Sequence, residues 1–165
     1  MNISLQMLGV ENIQDVFDFE IKNRAHFEKN LPSRGDDYYV FEKYDGIIRG
    51  FIEEQNRGEC LMCLIVDETG QILGRVNLTS IENGQAELGY RIGQGHEGRG
   101  IATIAIGKMI EMASKRGLTK IVAQTSTDNI GSQRVLTKNG FVLAASTQLQ
   151  LDGKQIDGSQ YEFTL

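Results

Sequence analysis

Four glycines fall within eight residues, at Gly93, Gly95, Gly98 and Gly100, and they separate a strand pattern from a helix pattern. On the N-terminal side, Gln85 to Ile92 alternates with a period of two. Asn83-Gly84 just before it is the strongest short hairpin signal in the chain, so this strand runs antiparallel to its predecessor. On the C-terminal side, Ile101, Ile104/Ala105, Met109 and Met112 recur at helical spacing, and Gly117 stands where a C-cap glycine belongs. An antiparallel meander therefore feeds a strand-loop-helix unit. That junction excludes an all-helical or all-parallel fold.

The flanking sequence fits the same frame. Residues 3–8 read as a strand, and 12–29 as a helix with Ile13, Val16, Phe17 and Ile21 on one face. A polar stretch from Asn30 to Asp37 holds the only proline, Pro32, and a second helix runs from about Tyr38 to Asn56. Cys60 to Val66 and Ile72 to Ile81 read as strands separated by the turn residues Asp67 to Gly70. After the glycine cluster come a helix over about 100–116, a strand over 118–125 and a short helix over 129–139 that Gly140 ends. Two last strands, 141–151 and 155–165, flank a second hairpin signal at Asp152-Gly153. The order β-α-α-β-β-β-α-β-α-β-β predicts one α+β domain with a mixed, mostly antiparallel sheet flanked by helices.

Glycines that lead into a helix N-terminus let a ligand approach backbone amides whose donors have no helical partner, which suits phosphate or pyrophosphate. A Walker A loop is excluded, because Arg99 and Gly100 stand where that loop needs Lys and a magnesium-binding hydroxyl. The dinucleotide pattern G-x-G-x-x-G does match at Gly93, Gly95 and Gly98, but its strand is normally parallel and first in its domain. A hairpin at Asn83-Gly84 is incompatible with it.

A third pattern fits better. Glu97-Gly98-Arg99-Gly100-Ile101-Ala102 resembles [QR]-x-x-G-x-[GA], the acetyl-CoA loop of the GNAT acyltransferase superfamily. Ala86 to Ile92 is similar to that family's fourth strand. Asn129-Ile130-Gly131-Ser132-Gln133-Arg134-Val135-Leu136-Thr137-Lys138-Asn139-Gly140-Phe141 is similar to its motif N-x-x-S-x-R-V-L-x-K-x-G-F. Asn23 to Phe27 with Pro32, and the hairpin around Leu149, Asp152-Gly153 and Tyr161, resemble the Rim-type branch, which acetylates ribosomal-protein N-termini. The resemblance spans nearly the whole chain and implies a single N-acetyltransferase domain over 1–165. One departure is Glu97, which stands where Gln or Arg is usual and would repel a pyrophosphate if it faced one.

The resemblance implies acetyl-CoA as co-substrate and direct transfer to an amine. It places the cofactor against Tyr90, Ile92, Gly98, Arg99, Gly100, Ile101, Ala102, Thr103, Asn129 and Lys138. An exposed backbone N–H near Tyr90 or Ile92 would polarise the thioester carbonyl. Glu87 is the candidate base, alone or through a water, and Ser132 the candidate acid for the departing thiolate. Alternation puts Glu87, Gly89 and Arg91 on one face of their strand and Ala86, Leu88 and Tyr90 on the other. Gly89 marks a possible bulge, and Asn129 reads also as a helix N-cap. Arg134 and Lys138 share a helix face, open to cofactor phosphate or to solvent.

Other features point nowhere in particular. Cys60 and Cys63 lie three apart on a strand, so they face opposite sides and read as buried small hydrophobes. Neither His26 nor His96 has partners at metal-ligand spacing, and no metal is expected. Tyr38, Tyr39 and Phe41 fit a substrate cleft or ordinary packing. A net charge of −5 argues against a nucleic-acid partner and permits a cationic acceptor. With no signal peptide from Met1 onward and no spanning segment, the expected site of action is the cytoplasm, away from membranes, as monomer or homodimer. The expected acceptor is a peptide N-terminus. The alternatives are a small amine, such as an antibiotic or polyamine, or a non-catalytic CoA-binding module.

Overall fold

A computed structural model describes residues 2–165; Met1 lies outside the described residues. The strands are β1 (Ile3–Met7), β2 (Leu61–Asp67), β3 (Ile72–Glu82), β4 (Gln85–Ile92), β5 (Lys120–Ser126), β6 (Val142–Leu151) and β7 (Lys154–Thr164). The helices are α1 (Ile13–Phe27), α2 (Phe41–Asn56), α3 (Ile101–Lys115) and α4 (Ile130–Lys138). The seven strands form one sheet in the order β1-β2-β3-β4-β5-β7-β6. Every pairing is antiparallel except β4 with β5. Short 3-10 turns at Val10–Asn12 and Asp36–Tyr39 precede α1 and α2, so both helices start slightly later than the apolar spacing predicts.

The sheet separates two cores. One packs Val16 and Phe17 of α1 and Tyr44 and Ile48 of α2 on Cys60, Met62, Leu64 and Val66. The other packs Ala105, Ile106 and Met109 of α3 on Leu61, Cys63, Ile65, Val76 and Leu78. Strand β2 is apolar from Leu61 to Val66 because it is covered on both sides there. Cys60 and Cys63 fall in opposite cores, as alternation requires. Burial pushes their thiols up to about 11 and about 12, respectively. Both stay protonated at pH 8, so a thiol reagent such as DTNB should label neither in the native protein.

Gln55 of α2 is buried between the first strand and the second. Its Nε2 donates to Leu8 O at 2.9 Å, and its Oε1 accepts from Met62 N at 2.7 Å. Gln55→Leu would leave both backbone groups unpaired. Urea unfolding should show a loss of about 2–4 kcal/mol.

The hairpin at Asn83-Gly84 is present, with Glu82 opposite Gln85 and positive φ at both turn residues, 53° and 78°. It joins adjacent antiparallel strands and removes the dinucleotide-binding alternative. The glycine ends of α3 and α4 also form as read. Gly117 and Gly140 have φ of 77° and 91°, and the following residues, Leu118 and Phe141, bond back to Ala113 O and Leu136 O.

Candidate active site

Strand β4 is paired along its whole length on one side only. Against β3 it runs in unbroken register from Gly74↔Ile92 to Thr79↔Glu87. Against β5 it pairs only from Gln85↔Lys120 to Leu88↔Ala123. Beyond Leu88 the two strands part. Gly89 is therefore no bulge: it sits in register opposite Asn77, and the irregularity lies between Thr79 and Glu82 instead. What Gly89 supplies is room, since a Cβ there would meet nothing within 4 Å.

The ladder fixes which backbone groups line the gap. Gly93 N donates to Leu73 O at 2.8 Å, so this opposed pair is a bonded one. Bonded pairs alternate in an antiparallel ladder, so Arg91, Gly89 and Glu87 also turn their backbone groups to β3. Tyr90 and Ile92 turn theirs the other way, into the gap. The same rule applies to β5. Leu165 N bonds to Thr119 O at 2.9 Å, so Gln124 and Ser126 face the gap from the far side.

The two faces of the gap carry different chemistry. Glu87, Gly89 and Arg91 lie on the α1–α2 face, and Glu87 is exposed. Tyr90 lies on the α3–α4 face, packed against the core there. Its hydroxyl donates to Ser132 Oγ at 3.0 Å. Burial pushes the Tyr90 phenol above its usual value, against a pull from the Ser132 hydrogen bond. Ser132 sits in the first turn of α4, where Asn129 caps the helix by accepting from Ser132 N at 3.1 Å.

Helix α3 starts without a side-chain cap. Its N-cap is Gly100, in the left-handed region at φ 77°, and the first intrahelical bond is Ile104 N to Gly100 O. The N–H groups of Ile101, Ala102 and Thr103 precede that bond and have no helical acceptor. Cβ atoms at Gly98 or Gly100 would meet nothing within 4 Å, so the space before these donors is open. The side chains of Ile101 and Ala102 are buried in the core, and only their backbone is available to a ligand. Gly93 is needed for a different reason: a Cβ there would lie 3.0 Å from Phe19 Cε2.

Helix α1 holds this loop. Asn23 Oδ1 accepts from Gln94 N at 2.8 Å, and His26 Nε2 pairs with Glu97 Oε1. Glu97 is thus anchored to α1, so its carboxylate is committed to a histidine and not left to oppose a phosphate. Arg99, Arg134 and Lys138 are exposed and form no ion pair among the described residues. Tyr38 is buried against Tyr44, and Phe41 packs edge-on against Phe17, so packing accounts for both.

The α1–α2 face also buries a charge cluster. Glu20 accepts from Arg75 at 2.7 Å and from Arg91 at 3.1 Å. Sequence reasoning missed it, as it missed the His26–Glu97 pair. Glu20 reads as one more polar residue in a helix, and its partners lie 55 and 71 positions away.

A split β4–β5 pair, an uncapped glycine-led helix and a Ser–Tyr pair thus stand together beside the gap. The chain belongs to the GNAT family: the model described as "Acetyltransferase (GNAT) domain" matches residues 11–142. It is an N-acetyltransferase that uses acetyl-CoA to acetylate an amine. It is 26% identical over 149 residues to the Escherichia coli K12 ribosomal-protein-serine acetyltransferase, covering 86% of this chain and 80% of that one. RimL, a ribosomal L7/L12 α-N-protein acetyltransferase solved in complex with coenzyme A, superposes with a TM-score of 0.90 at 22% identity, over 100% and 95% of the chains. A spermidine N-acetyltransferase chimera from Vibrio cholerae and hSSAT superposes with a TM-score of 0.81 at 16% identity, over 99% and 96%. Among the described residues, no His/Cys/Asp/Glu group could hold a metal, and no helix is long and apolar enough to cross a membrane.

Proposed function

We propose that this enzyme acetylates the α-amine of a protein or peptide N-terminus in the cytosol. The observation that carries this reading is the gap between β4 and β5, with a carboxylate on one face and a hydroxyl pair on the other. The likeness to the ribosomal-protein-serine enzyme favours a peptide acceptor over a small amine.

Acetyl-CoA supplies an activated acetyl thioester. The N–H groups of Ile101, Ala102 and Thr103, with Gly98, Arg99 and Gly100, hold its pyrophosphate; Asn129 and Lys138 flank its path. The backbone N–H groups of Tyr90 and Ile92 donate to the thioester oxygen as negative charge builds on it. Glu87, on the opposite face, takes the proton that the acceptor amine must lose. Tyr90 donates to Ser132, which leaves the Ser132 hydroxyl proton free for the departing sulfur, and Tyr90 stays protonated at neutral pH to sustain that bond.

An α-amine, with a pKa near 8, is neutral about one time in ten at pH 7, and a lysine amine near 10.4 far less often. The site therefore asks less of its base with an N-terminus. The test is CoA thiol release, read with DTNB, over serine- and alanine-led peptides, spermidine and aminoglycosides. Peptides should be turned over best. Release with spermidine alone would replace the peptide reading by the small-amine one. CoA binding without release on any amine would leave a binding module.

A further inference from the structure

The buried cluster on the α1–α2 face is out of balance. Glu20 is fully buried and is shared by two guanidinium groups, Arg75 and Arg91, whose side chains are 6% and 9% exposed. Two cations with one carboxylate leave an excess positive charge under cover, which is costly unless something offsets it. The Arg75 Nε, moreover, is buried with no hydrogen-bond partner. Burial, together with Arg34 and Arg75 and despite Glu20, pushes the Arg91 guanidinium below its usual value.

Among the described residues, no carboxylate besides Glu20 pairs with Arg75 or Arg91. In the α1–α2 loop, Glu28 and Asp36 are taken by Arg24, and Asp37 by Lys43. Asp152, on the β6–β7 turn, accepts from Ser33 N at 3.3 Å and forms no ion pair. Arg34 has no carboxylate partner among the described residues, and its guanidinium stands 5.3 Å from the Tyr38 ring centre. Arg75 bonds to the hydroxyl of the same Tyr38 at 3.3 Å, and Arg91 stacks over Phe27 at 4.7 Å. An exposed arginine without a partner thus stands beside a buried pair that has one carboxylate too few.

The position of this cluster ties it to the acceptor. Arg91 lies between Tyr90 and Ile92, whose backbone faces the gap, and shares the α1–α2 face with Glu87 and the open Gly89. From Gly89 to Arg91 is roughly 7 Å along the strand. We propose that the acceptor carries a carboxylate within a residue or two of its reactive amine, and that Arg34 and Arg91 bind it. The amine then lies over Gly89, towards Glu87, and the carboxylate points to the arginines. This rests on the N-acetyltransferase reading and deepens it: the acceptor is an acidic N-terminus, and a polyamine would meet like charge. The net charge of −5 is no guide here, because screening confines such effects to about 10 Å.

The test uses three matched peptides, each led by serine, with two glutamates, two glutamines or two lysines following. Spermidine and free glutamate complete the panel, and each acceptor is run with the wild type and with Arg34→Gln. Arg34 is exposed, so this variant should fold. The glutamate peptide should show kcat/KM about tenfold above the glutamine peptide, through KM, as one charge-assisted contact provides. In Arg34→Gln that ratio should fall to about two or less. Free glutamate outperforming every peptide would keep the anionic subsite and replace the peptide acceptor by an amino acid. Preference for the lysine peptide or spermidine, or a ratio unmoved by Arg34→Gln, would overturn the subsite while leaving the acetyltransferase reading in place. No CoA release with any of these amines would overturn both.

Discussion

Gly100→Val should abolish measurable acetyl-CoA binding while leaving a folded protein. Two effects act together. Gly100 has φ 77°, where a β-branched residue is strained by about 1–3 kcal/mol. The new side chain would also project into space that is empty now, in front of the unpaired N–H groups of Ile101, Ala102 and Thr103. Those donors have no helical acceptor and open onto that empty space, so a pyrophosphate would use them. In the wild type, acetyl-CoA at a hundred times its dissociation constant adds about 2.7 kcal/mol. For a chain of this size that raises Tm by roughly 5–11 °C. A hundredfold loss of affinity would shrink the rise to about 1 °C. A Gly100→Val protein with a lower starting Tm but an undiminished acetyl-CoA shift would mean that the pyrophosphate binds elsewhere.

The contrast between the two helix starts explains how much of this site can be read from sequence. Asn129 announces a cap, and the structure shows it closed by Ser132 N. Gly100 announces an open N-terminus, and it is open. Turn chemistry of this kind is local, and so are the hairpin at Asn83-Gly84 and the ends at Gly117 and Gly140; each depends on residues within a few positions. The gap beside β4 is different. It arises because β5 leaves β4 at Ala123 while staying with β7, and no residue in β4 alone encodes that. Gly89 was the visible trace of it, and bulge geometry was the wrong inference from a residue that provides clearance. The ion pairs are harder still. His26 and Glu97, or Glu20 with Arg75 and Arg91, meet only after α1 has packed across the sheet. Periodicity assigns such residues to a polar face and stops there, although Glu20 turns out to be fully buried.

Glu87→Gln should lower turnover by roughly a hundredfold at pH 7, within the range expected for loss of a general base. The side chain is exposed and the replacement is close to isosteric, so stability should change by no more than about 0.5 kcal/mol. Acetyl-CoA affinity should not change, because Glu87 lies on the opposite face of the sheet from Ser132 and Tyr90. The defect should also depend on pH in a defined direction. The base matters only for acceptor molecules that arrive protonated, and an α-amine loses its proton by itself above its pKa near 8. The ratio of wild-type to variant kcat/KM should therefore be largest near pH 7 and shrink towards pH 9.5. Ser132→Ala should behave differently. A thiolate leaves with a pKa near 8.5, so losing its donor costs less, about tenfold, and raising the pH should not rescue it. A Glu87→Gln enzyme with wild-type turnover at pH 7 would remove Glu87 from the mechanism. A deficit that stayed constant with pH would instead assign Glu87 to binding the acceptor ammonium, with the proton leaving to water.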